Sequence, residues 1–326
     1  MKAQTVSLIG LNRITASLGL ALKHSSLEMQ VIGYDADSNV TRLAKEQMGA
    51  IDKAEWNLLN AATKADILVL DLPQQELEDA LQLIGGDVQP HTLVLDMSSL
   101  KSRGVMLAQQ HLKRGYYVGV QPVLSALHME DGRLGVDAAR ADLFKNGIFC
   151  LMPDANVDPK AVETAVNFGR ILGAAPYFLD PVEYDNLLQG IGTMPALLAA
   201  AAFSTLQQAT GWRDILRFAD APVALATASL QTASETAVLA LNDTAATLRW
   251  LDALMTELQD FRRLIQQKDQ ETFQAILEDL QIKREKWLHD RTKNDWVEID
   301  APKVEGRSIS EQMLGSWVTR QFKDDD

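Results

Sequence analysis

The six residues from Gly10 to Thr15, "GLNRIT", follow the apolar run "TVSLI" and have the spacing of the phosphate-binding turn G-x-G-x-x-G. In that turn the first glycine allows a tight bend, the second admits a diphosphate, and the third lets the helix pack closely on the strand. Only Gly10 is retained here. Asn12 tolerates positive φ better than most residues, but it adds a side chain where the phosphates would lie, and Thr15 holds the helix slightly off the strand.

The acidic residue expected about 20 positions after such a turn is present as Asp35, at the end of "VIGYD". Its carboxylate is suited to bind a ribose 2′-hydroxyl and would repel a 2′-phosphate, which favours NAD over NADP. We therefore predict a dinucleotide cofactor bound by Gly10, Asn12, Arg13, Ile14, Asp35 and Ser98. The degraded turn leaves open a second reading, in which the domain no longer binds a nucleotide.

Short β-branched runs alternate with helix-like stretches in the first half of the chain. Runs that are apolar on both faces predict a parallel sheet covered on both sides. We expect an α/β fold, with a Rossmann-type doubly wound parallel sheet as a dinucleotide-binding domain over residues 1–180. The predicted strands lie in "TVSLIGL", "MQVIGYD", "ADILVLDLP", "TLVLDMSS", "YYVGVQP", "GIFCLMP" and "APYFLD".

Strand signals stop at Pro181, and we predict an all-helical dimerisation and substrate domain over residues 181–291. Asp180 is the expected N-cap of a long first helix that ends by Gly211. A second helix carries one apolar stripe on one face, until a Lys-Asp pair at 268 and 269 breaks it. The stripe consists of Leu248, Leu251, Leu254, Leu258, Phe261 and Ile265. Residues 292–326 are expected to form a polar C-terminal tail.

The 326-residue chain has a formal net charge of -13, which makes a nucleic-acid or membrane partner a poor expectation and favours a small metabolite. Its N-terminus is unlike a signal peptide, and the longest apolar run, residues 194–203, covers roughly half of a membrane span. We predict a soluble, cytoplasmic protein. The single Cys150 is expected to be buried and inert, and the spacing of the histidines predicts no metal site.

Three stretches together resemble one enzyme family: "GVDAARADLFKNGIFCLMP" at 135–153, "LDMSSLKS" at 95–102 and "GWRDILRFADAP" at 211–222. Over residues 5 to about 290 the chain resembles the prephenate and arogenate dehydrogenases of tyrosine biosynthesis. The resemblance implies a nucleotide domain followed by a helical dimerisation domain, with the active site between them. It also implies NAD(P)-dependent oxidation of a cyclic carboxylic acid at its ring hydroxyl, with loss of the ring carboxylate as carbon dioxide.

The resemblance assigns roles to several residues and also shows departures. Ser99 matches the serine that hydrogen-bonds the catalytic histidine and the substrate hydroxyl, and Arg217 matches the arginine that binds a substrate carboxylate. Gln121, in "GVQPV", stands where the family has its base, the histidine of G-x-H-P-M. An amide accepts no proton at neutral pH, so a contribution of roughly 10²–10⁴ in rate is expected to be missing. The family's other site histidines are replaced by Tyr184, Ala196 and, at a position we assign to substrate binding, Thr193.

One compensating group is available, because the loop after Gln121 is longer than in the family and contains His128 and Glu130. His128 could act as the base, or it could be an ordinary surface histidine. Ser99 could likewise be a helix N-cap, and Arg217 a solvated helix charge. Two functions stay open: an active dehydrogenase with an altered proton acceptor, and a non-catalytic homodimer that binds a dinucleotide or a carboxylate in a regulatory or scaffolding role.

Overall fold

Eight short strands form one sheet in the computed structural model, which describes residues 4–129 and 132–293. Seven of these described strands coincide with the predicted apolar runs, and the eighth is a two-residue edge strand that the sequence did not indicate. The strands are β1 (Thr5–Ile9), β2 (Gln30–Tyr34), β3 (Lys53–Ala54), β4 (Ile67–Leu70), β5 (Leu93–Asp96), β6 (Tyr116–Val123), β7 (Ile148–Pro153) and β8 (Ala175–Phe178). Their order in the sheet is β3-β2-β1-β4-β5-β6-β7-β8.

The predicted Rossmann-type sheet is confirmed, with one reversal of direction. Neighbouring strands run parallel except β6 and β7, which are antiparallel and place Gln121 opposite Cys150. A parallel connection needs a crossover of a dozen or more residues, usually a helix. The described residues between β6 and β7 contain only two short 3₁₀ turns, Ala126–His128 and Val136–Ala138. The chain therefore returns beside β6 instead of crossing the sheet.

Six helices cover the two faces of the sheet in the described part of this domain. One face carries α1 (Arg13–His24), α2 (Ser38–Glu46) and α6 (Pro159–Ile171), and the other carries α3 (Leu58–Ala62), α4 (Leu77–Ile84) and α5 (Lys101–His111). The strand residues alternate between the two cores: Val6 and Leu8 face the first, and Ile9 faces the second. Burial on both faces explains why each strand is apolar at nearly every position.

Only helices follow β8 among the described residues. Asp180 caps the first of them, and its carboxylate accepts hydrogen bonds from the N–H groups of Val182 (2.8 Å) and Glu183 (3.2 Å), as predicted. A left-handed Lys268, with φ of +55°, ends the second long helix at the predicted break. The helices are α7 (Pro181–Leu188), α8 (Met194–Gln208), α9 (Trp212–Arg217), α10 (Ala221–Ala226), α11 (Ala233–Asn242), α12 (Thr244–Gln267) and α13 (Gln270–Lys293). The predicted tail lies outside the described residues from position 294 onward.

The first long helix is continuous from 181 to 208, because the π-helical turn Gln189–Thr193 joins α7 to α8. Among the described residues this run alone is long and apolar enough, by length and composition, to cross a membrane. The prediction from the sequence considered only the apolar run at residues 194–203, which is shorter than this helix. Core helices of water-soluble proteins meet the same criterion, and here Asp185 binds the first N–H groups of α5. The first half of the run is therefore anchored to the sheet domain.

Candidate functional site

The carboxyl ends of β1, β2 and β4 border a cleft of about 470 Å³. β1 lies between β2 and β4, so the chain order reverses at this point, where ligands bind in open α/β sheets. Gly10 begins the turn with φ of +81°, and a Cβ there would lie 2.0 Å from the carbonyl oxygen of Asp71, so only glycine fits. A larger depression of about 1010 Å³ lies at the opposite edge, beside the amino ends of these strands. It contains none of the predicted site residues.

Asp35 lies at the edge of this cleft, as expected for a ribose-binding carboxylate. Its Oδ2 accepts a hydrogen bond from the N–H of Leu11, and its Oδ1 accepts one from the N–H of Asp37, each at 2.8 Å. These two bonds fix the carboxylate while leaving lone pairs on both oxygens. Apolar side chains of Leu58, Leu72 and Leu83 line the same cleft, so the adenosine end of a dinucleotide fits here.

Asn12 is the N-cap of α1, and its side chain turns back onto the helix. Its Oδ1 accepts hydrogen bonds from the N–H groups of Ile14 (2.7 Å) and Thr15 (3.2 Å). The N–H of Arg13 donates to the carbonyl of Leu134 at 2.9 Å. Helix N–H groups at this position normally hold the diphosphate. The predicted residues Asn12, Arg13 and Ile14 are thus at the expected place, but other groups of the chain already occupy their backbone N–H donors.

Asp71 is a site residue that the sequence analysis missed. Its Oδ2 accepts a hydrogen bond from Asn12 Nδ2 at 2.7 Å. Burial of the carboxyl raises its pKa to about 6, helped by the nearby charges of Asp96 and Glu235 and opposed by the Asn12 bond and the Lys101 charge. One sequence feature could have identified Asp71: it directly follows the apolar run of β4, and residues that follow parallel strands lie at the ligand-binding edge of the sheet.

Ser98 lies among buried polar groups instead of facing the cleft. Its hydroxyl donates to Asp96 Oδ2 at 2.7 Å, and its carbonyl accepts a hydrogen bond from the ammonium group of Lys101. Tyr117 donates to the same Asp96 oxygen at 2.6 Å. The Lys101 side chain is fully buried, and desolvation lowers its pKa. This arrangement fixes the turn after β5, so the geometry indicates a structural role for Ser98 in the chain itself.

Ser99 follows at the same turn and is half-buried. The alternative that Ser99 is the N-cap of α5 is wrong. Leu100 is the N-cap, and its side chain makes no capping hydrogen bond. Asp185 of α7 supplies the cap from a distance, because its carboxylate accepts from the N–H groups of Lys101 (2.7 Å) and Ser102 (3.0 Å). The Ser99 hydroxyl makes no hydrogen bond to any described residue, which leaves it available to a ligand.

Gln121 lies at the same edge of the sheet as Ser99. Asp96, the last residue of β5, pairs with Gly119, so β6 carries Gln121 two residues beyond the end of its neighbour. Its side chain is half-buried, and its one hydrogen bond to a described residue runs from Nε2 to the carbonyl of Pro122 at 3.4 Å. Ser99 and Gln121 therefore both lie beyond the point where the pairing of the neighbouring strands β5 and β6 ends.

His128 belongs to a different group of contacts. Its Nε2 lies 3.4 Å from Asp142 Oδ1, and only 12% of its side chain is exposed. Of the two alternatives left open for His128, the ordinary surface histidine does not fit this packing, and its role as a base stays untested. No hydrogen bond between described residues joins it to Gln121 or Ser99. Glu130, which shares this loop, lies outside the described residues.

The remaining predicted residues are not brought together. Thr193 is buried in the π-helical turn, and its hydroxyl has no hydrogen-bond partner among the described residues. Arg217 has 75% of its side chain exposed on α9, 3.8 Å from Asp214. Tyr184 packs on Cys150, and burial raises the pKa of that thiol to about 11. The prediction of a buried cysteine is confirmed, and its inertness stays a prediction.

Comparisons with known proteins agree with this architecture. The sequence model described as "Prephenate dehydrogenase, nucleotide-binding domain" matches residues 18–177, beginning after the turn at Gly10. Prephenate dehydrogenase of Bacillus subtilis (strain 168) is 27% identical over 235 residues, 68% of this chain but only 62% of that relative. The match therefore spans less than two thirds of the relative's length.

Two solved structures share the fold. Prephenate dehydrogenase from A. aeolicus, in complex with hydroxyphenyl propionate and NAD+, has a TM-score of 0.72 at 17% identity and covers 88% of this chain and 99% of its own. Synechocystis arogenate dehydrogenase has a TM-score of 0.63 at 20% identity, covering 87% and 100%. The matched nucleotide-binding domain, the curated relative and the shared fold together support the prephenate and arogenate dehydrogenase family for this chain.

Proposed function

We propose that the protein is a cytoplasmic oxidoreductase of the prephenate dehydrogenase type that uses NAD in preference to NADP and acts on a cyclic carboxylic acid. The observation that carries this proposal is the cleft at the turn of Gly10, with the Asp35 carboxylate at its edge. The A. aeolicus relative holds NAD+ together with hydroxyphenyl propionate. That complex supports a nicotinamide cofactor and a carboxylate ligand for this chain as well.

The preference for NAD follows from the charge of Asp35. Two backbone N–H groups hold its carboxylate in place, and each oxygen keeps a lone pair for a ribose hydroxyl. A 2′-phosphate at the same position would bring two negative groups together at the edge of the cleft, which is unfavourable. The carboxylate therefore selects the ribose that carries a free 2′-hydroxyl.

The chain offers hydrogen bonds to a substrate hydroxyl but no base. A bound nicotinamide ring would supply the hydride acceptor. The Ser99 hydroxyl and the Gln121 amide, at the adjacent ends of β5 and β6, can orient the hydroxyl that is oxidised. Neither accepts a proton at neutral pH, so the proton must leave to water. We expect oxidation slower than in a histidine-bearing family member by roughly 10²–10⁴.

Two other groups fail as replacements for the base. Lys101 is completely buried, and its ammonium group donates to the carbonyls of Asp96 and Ser98. His128 is packed beside Asp142. We therefore assign neither of them to proton transfer, and we retain His128→Ala as the variant that tests this assignment.

We also propose that the protein is a homodimer joined through its helical region. The predicted stripe on α12 is open to solvent in the single chain: Leu248 is 56% exposed, Leu258 49% and Ile265 60%. Apolar area of this extent along one helix favours burial against a second copy. Arg217 is exposed in the same region, and we propose that it binds the substrate carboxylate in the assembled dimer, where planar two-point contact is available.

The test is a turnover assay with prephenate and arogenate, each with NAD+ and NADP+, followed at the NADH absorbance band. We expect slow NAD+-dependent oxidation that survives His128→Ala and is lost in Arg217→Ala. Gln121→His is expected to restore little, because Tyr184, Thr193 and Ala196 also replace groups that would bind the ring. Fast turnover in the unmodified protein would contradict the assignment of Gln121 as a missing base.

A second function is favoured by the same amide at position 121. A non-catalytic homodimer that binds a carboxylate or a nucleotide, in a regulatory or scaffolding role, needs no base. Calorimetric binding of prephenate without any turnover, in either the unmodified protein or Gln121→His, would favour this candidate over the first.

A further inference from the structure

The start of α1 is closed by groups of the chain itself. Six consecutive backbone N–H groups, from Leu11 to Ala16, each donate a hydrogen bond to another group of the protein. The Asn12 side chain accepts two of these bonds, and its own backbone carbonyl accepts a third, from Ala16 at 3.0 Å. In dinucleotide-binding domains the N–H groups of this helix start point at the diphosphate. Here they are already satisfied.

Negative charge lies at the same place. Asp71 is held against Asn12 by the hydrogen bond that its Oδ2 accepts from Asn12 Nδ2 at 2.7 Å. Glu235 of α11 approaches from the helical region, where its Oε2 accepts from the N–H of Gln74 at 3.4 Å. Its other oxygen, Oε1, is buried and makes no hydrogen bond to a described residue. The Asp71 carboxylate beside the helix start, with the charge of Glu235 acting on it, would repel a diphosphate that carries two negative charges.

The other end of the cleft is suited to an uncharged group. The Asp35 carboxylate and the apolar side chains of Leu58, Leu72 and Leu83 border its volume of about 470 Å³. A ribose needs hydrogen-bond acceptors, and a purine ring needs apolar walls. An uncharged nucleoside therefore meets its requirements without using the helix N–H groups.

We propose that the Asn12–Asp71 pair is a built-in occupant of the diphosphate position, so that the cleft binds adenosine and discriminates against adenosine that carries a diphosphate. This inference rests on the proposed function, because it takes the cleft at Gly10 to be the nucleotide site. NAD+ then binds through its adenosine end and must displace the Asn12 side chain. The pair also gives a role to Asn12, which departs from the family turn, because its Nδ2 donates a hydrogen bond to the Asp71 carboxylate.

The experiment is a calorimetric titration with adenosine, ADP and NAD+. It compares the unmodified protein with the variants Asn12→Gly and Asp71→Asn. The control is Asp158→Gly, which removes the N-cap of α6, a helix that does not line the cleft. Glycine is an acceptable N-cap, so Asn12→Gly is expected to fold. Asp71→Asn keeps the shape of the side chain and is the second variant.

In the unmodified protein we expect ADP to bind no more tightly than adenosine. Asn12→Gly frees two N–H groups and should tighten ADP and NAD+ binding by about tenfold or more, with adenosine affinity unchanged. Asp71→Asn should also tighten ADP and NAD+ binding. Asp158→Gly should leave the affinities for ADP and NAD+, each relative to adenosine, unchanged. An unchanged ratio of ADP to adenosine affinity in both Asn12→Gly and Asp71→Asn, with adenosine still bound, would overturn this inference alone. Absence of adenosine binding in every variant would overturn the nucleotide cleft as well.

Discussion

Asp71→Asn is expected to stabilise the protein at neutral pH and to have little effect in acid. Asp71 is half-buried at the cleft, and desolvation of its carboxyl raises the pKa from 3.8 to about 6 in the folded chain. Besides Asn12, the groups that face it electrostatically are Lys101, which favours the charged form, and Asp96 and Glu235, which oppose it. A pKa raised by folding means that the folded state favours the protonated acid.

The direction and size of the effect follow from this pKa. The stabilising contribution of the protonated acid is fully present below pH 3.8 and is lost as the pH rises through about 6. A difference of about 2 pKa units corresponds to about 3 kcal/mol in the free energy of unfolding. Asparagine cannot ionise, and its Oδ1 can still accept the bond from Asn12. The variant should therefore gain less than about 1 kcal/mol at pH 4 and up to about 3 kcal/mol at pH 7.5.

The measurement is urea unfolding of both proteins between pH 4 and pH 8, at one fixed protein concentration because dimerisation would couple to stability. Asp79→Asn is the matched control, since Asp79 lines the same cleft but is exposed. That control should show no pH-dependent difference from the unmodified protein. A difference for Asp71→Asn that does not change with pH, or a loss of stability at pH 7.5, would refute the reasoning.

Four further predictions follow from individual contacts. Asp185→Ala should destabilise the fold by about 2–3 kcal/mol in urea unfolding, because α5 loses its cap and the Ser102 hydroxyl loses its acceptor; a change below about 0.5 kcal/mol would count against this. Asp35→Ala should erase most of the preference for NAD+ over NADP+ in titrations, and an unmodified protein that favours NADP+ would contradict the assignment. Leu258→Glu should convert a dimer to a monomer in light scattering at micromolar concentration, whereas a monomeric unmodified protein would exclude the dimer. Cys150 should resist a thiol reagent at pH 8 until urea unfolds the chain, since burial raises its pKa to about 11.

The sequence determined those features that depend on neighbouring residues. Apolar runs such as "TVSLI" became strands because both faces of the sheet are covered, which leaves no position for polar side chains. The Asp-Pro pair at 180 and 181 began the helical region, because an aspartate N-cap and a proline at N1 act within one turn. The expectation that Gln121 stands at the position of the family's base also came from a local motif match, and it stays a prediction.

Other features were decided by contacts between distant parts of the chain. The reversal of β7 depends on how the connection after β6 folds, and β3 has only two residues and thus no pattern of its own. Asp185 caps a helix 84 residues earlier, a pairing that local spacing does not reveal. An exposed surface histidine was one of two alternatives for His128, but packing near Asp142 leaves only 12% of its side chain exposed.

The turn at Gly10 shows both levels in one place. The sequence predicted that Asn12 adds a side chain where a diphosphate would lie, because residue type and spacing are local facts. Only the tertiary structure decided what that side chain does: its Oδ1 closes its own helix start, and its Nδ2 binds Asp71, 59 residues away. The bond to Asp71 forms because β1 and β4 are neighbours in the sheet, and strand order is a property of the whole chain.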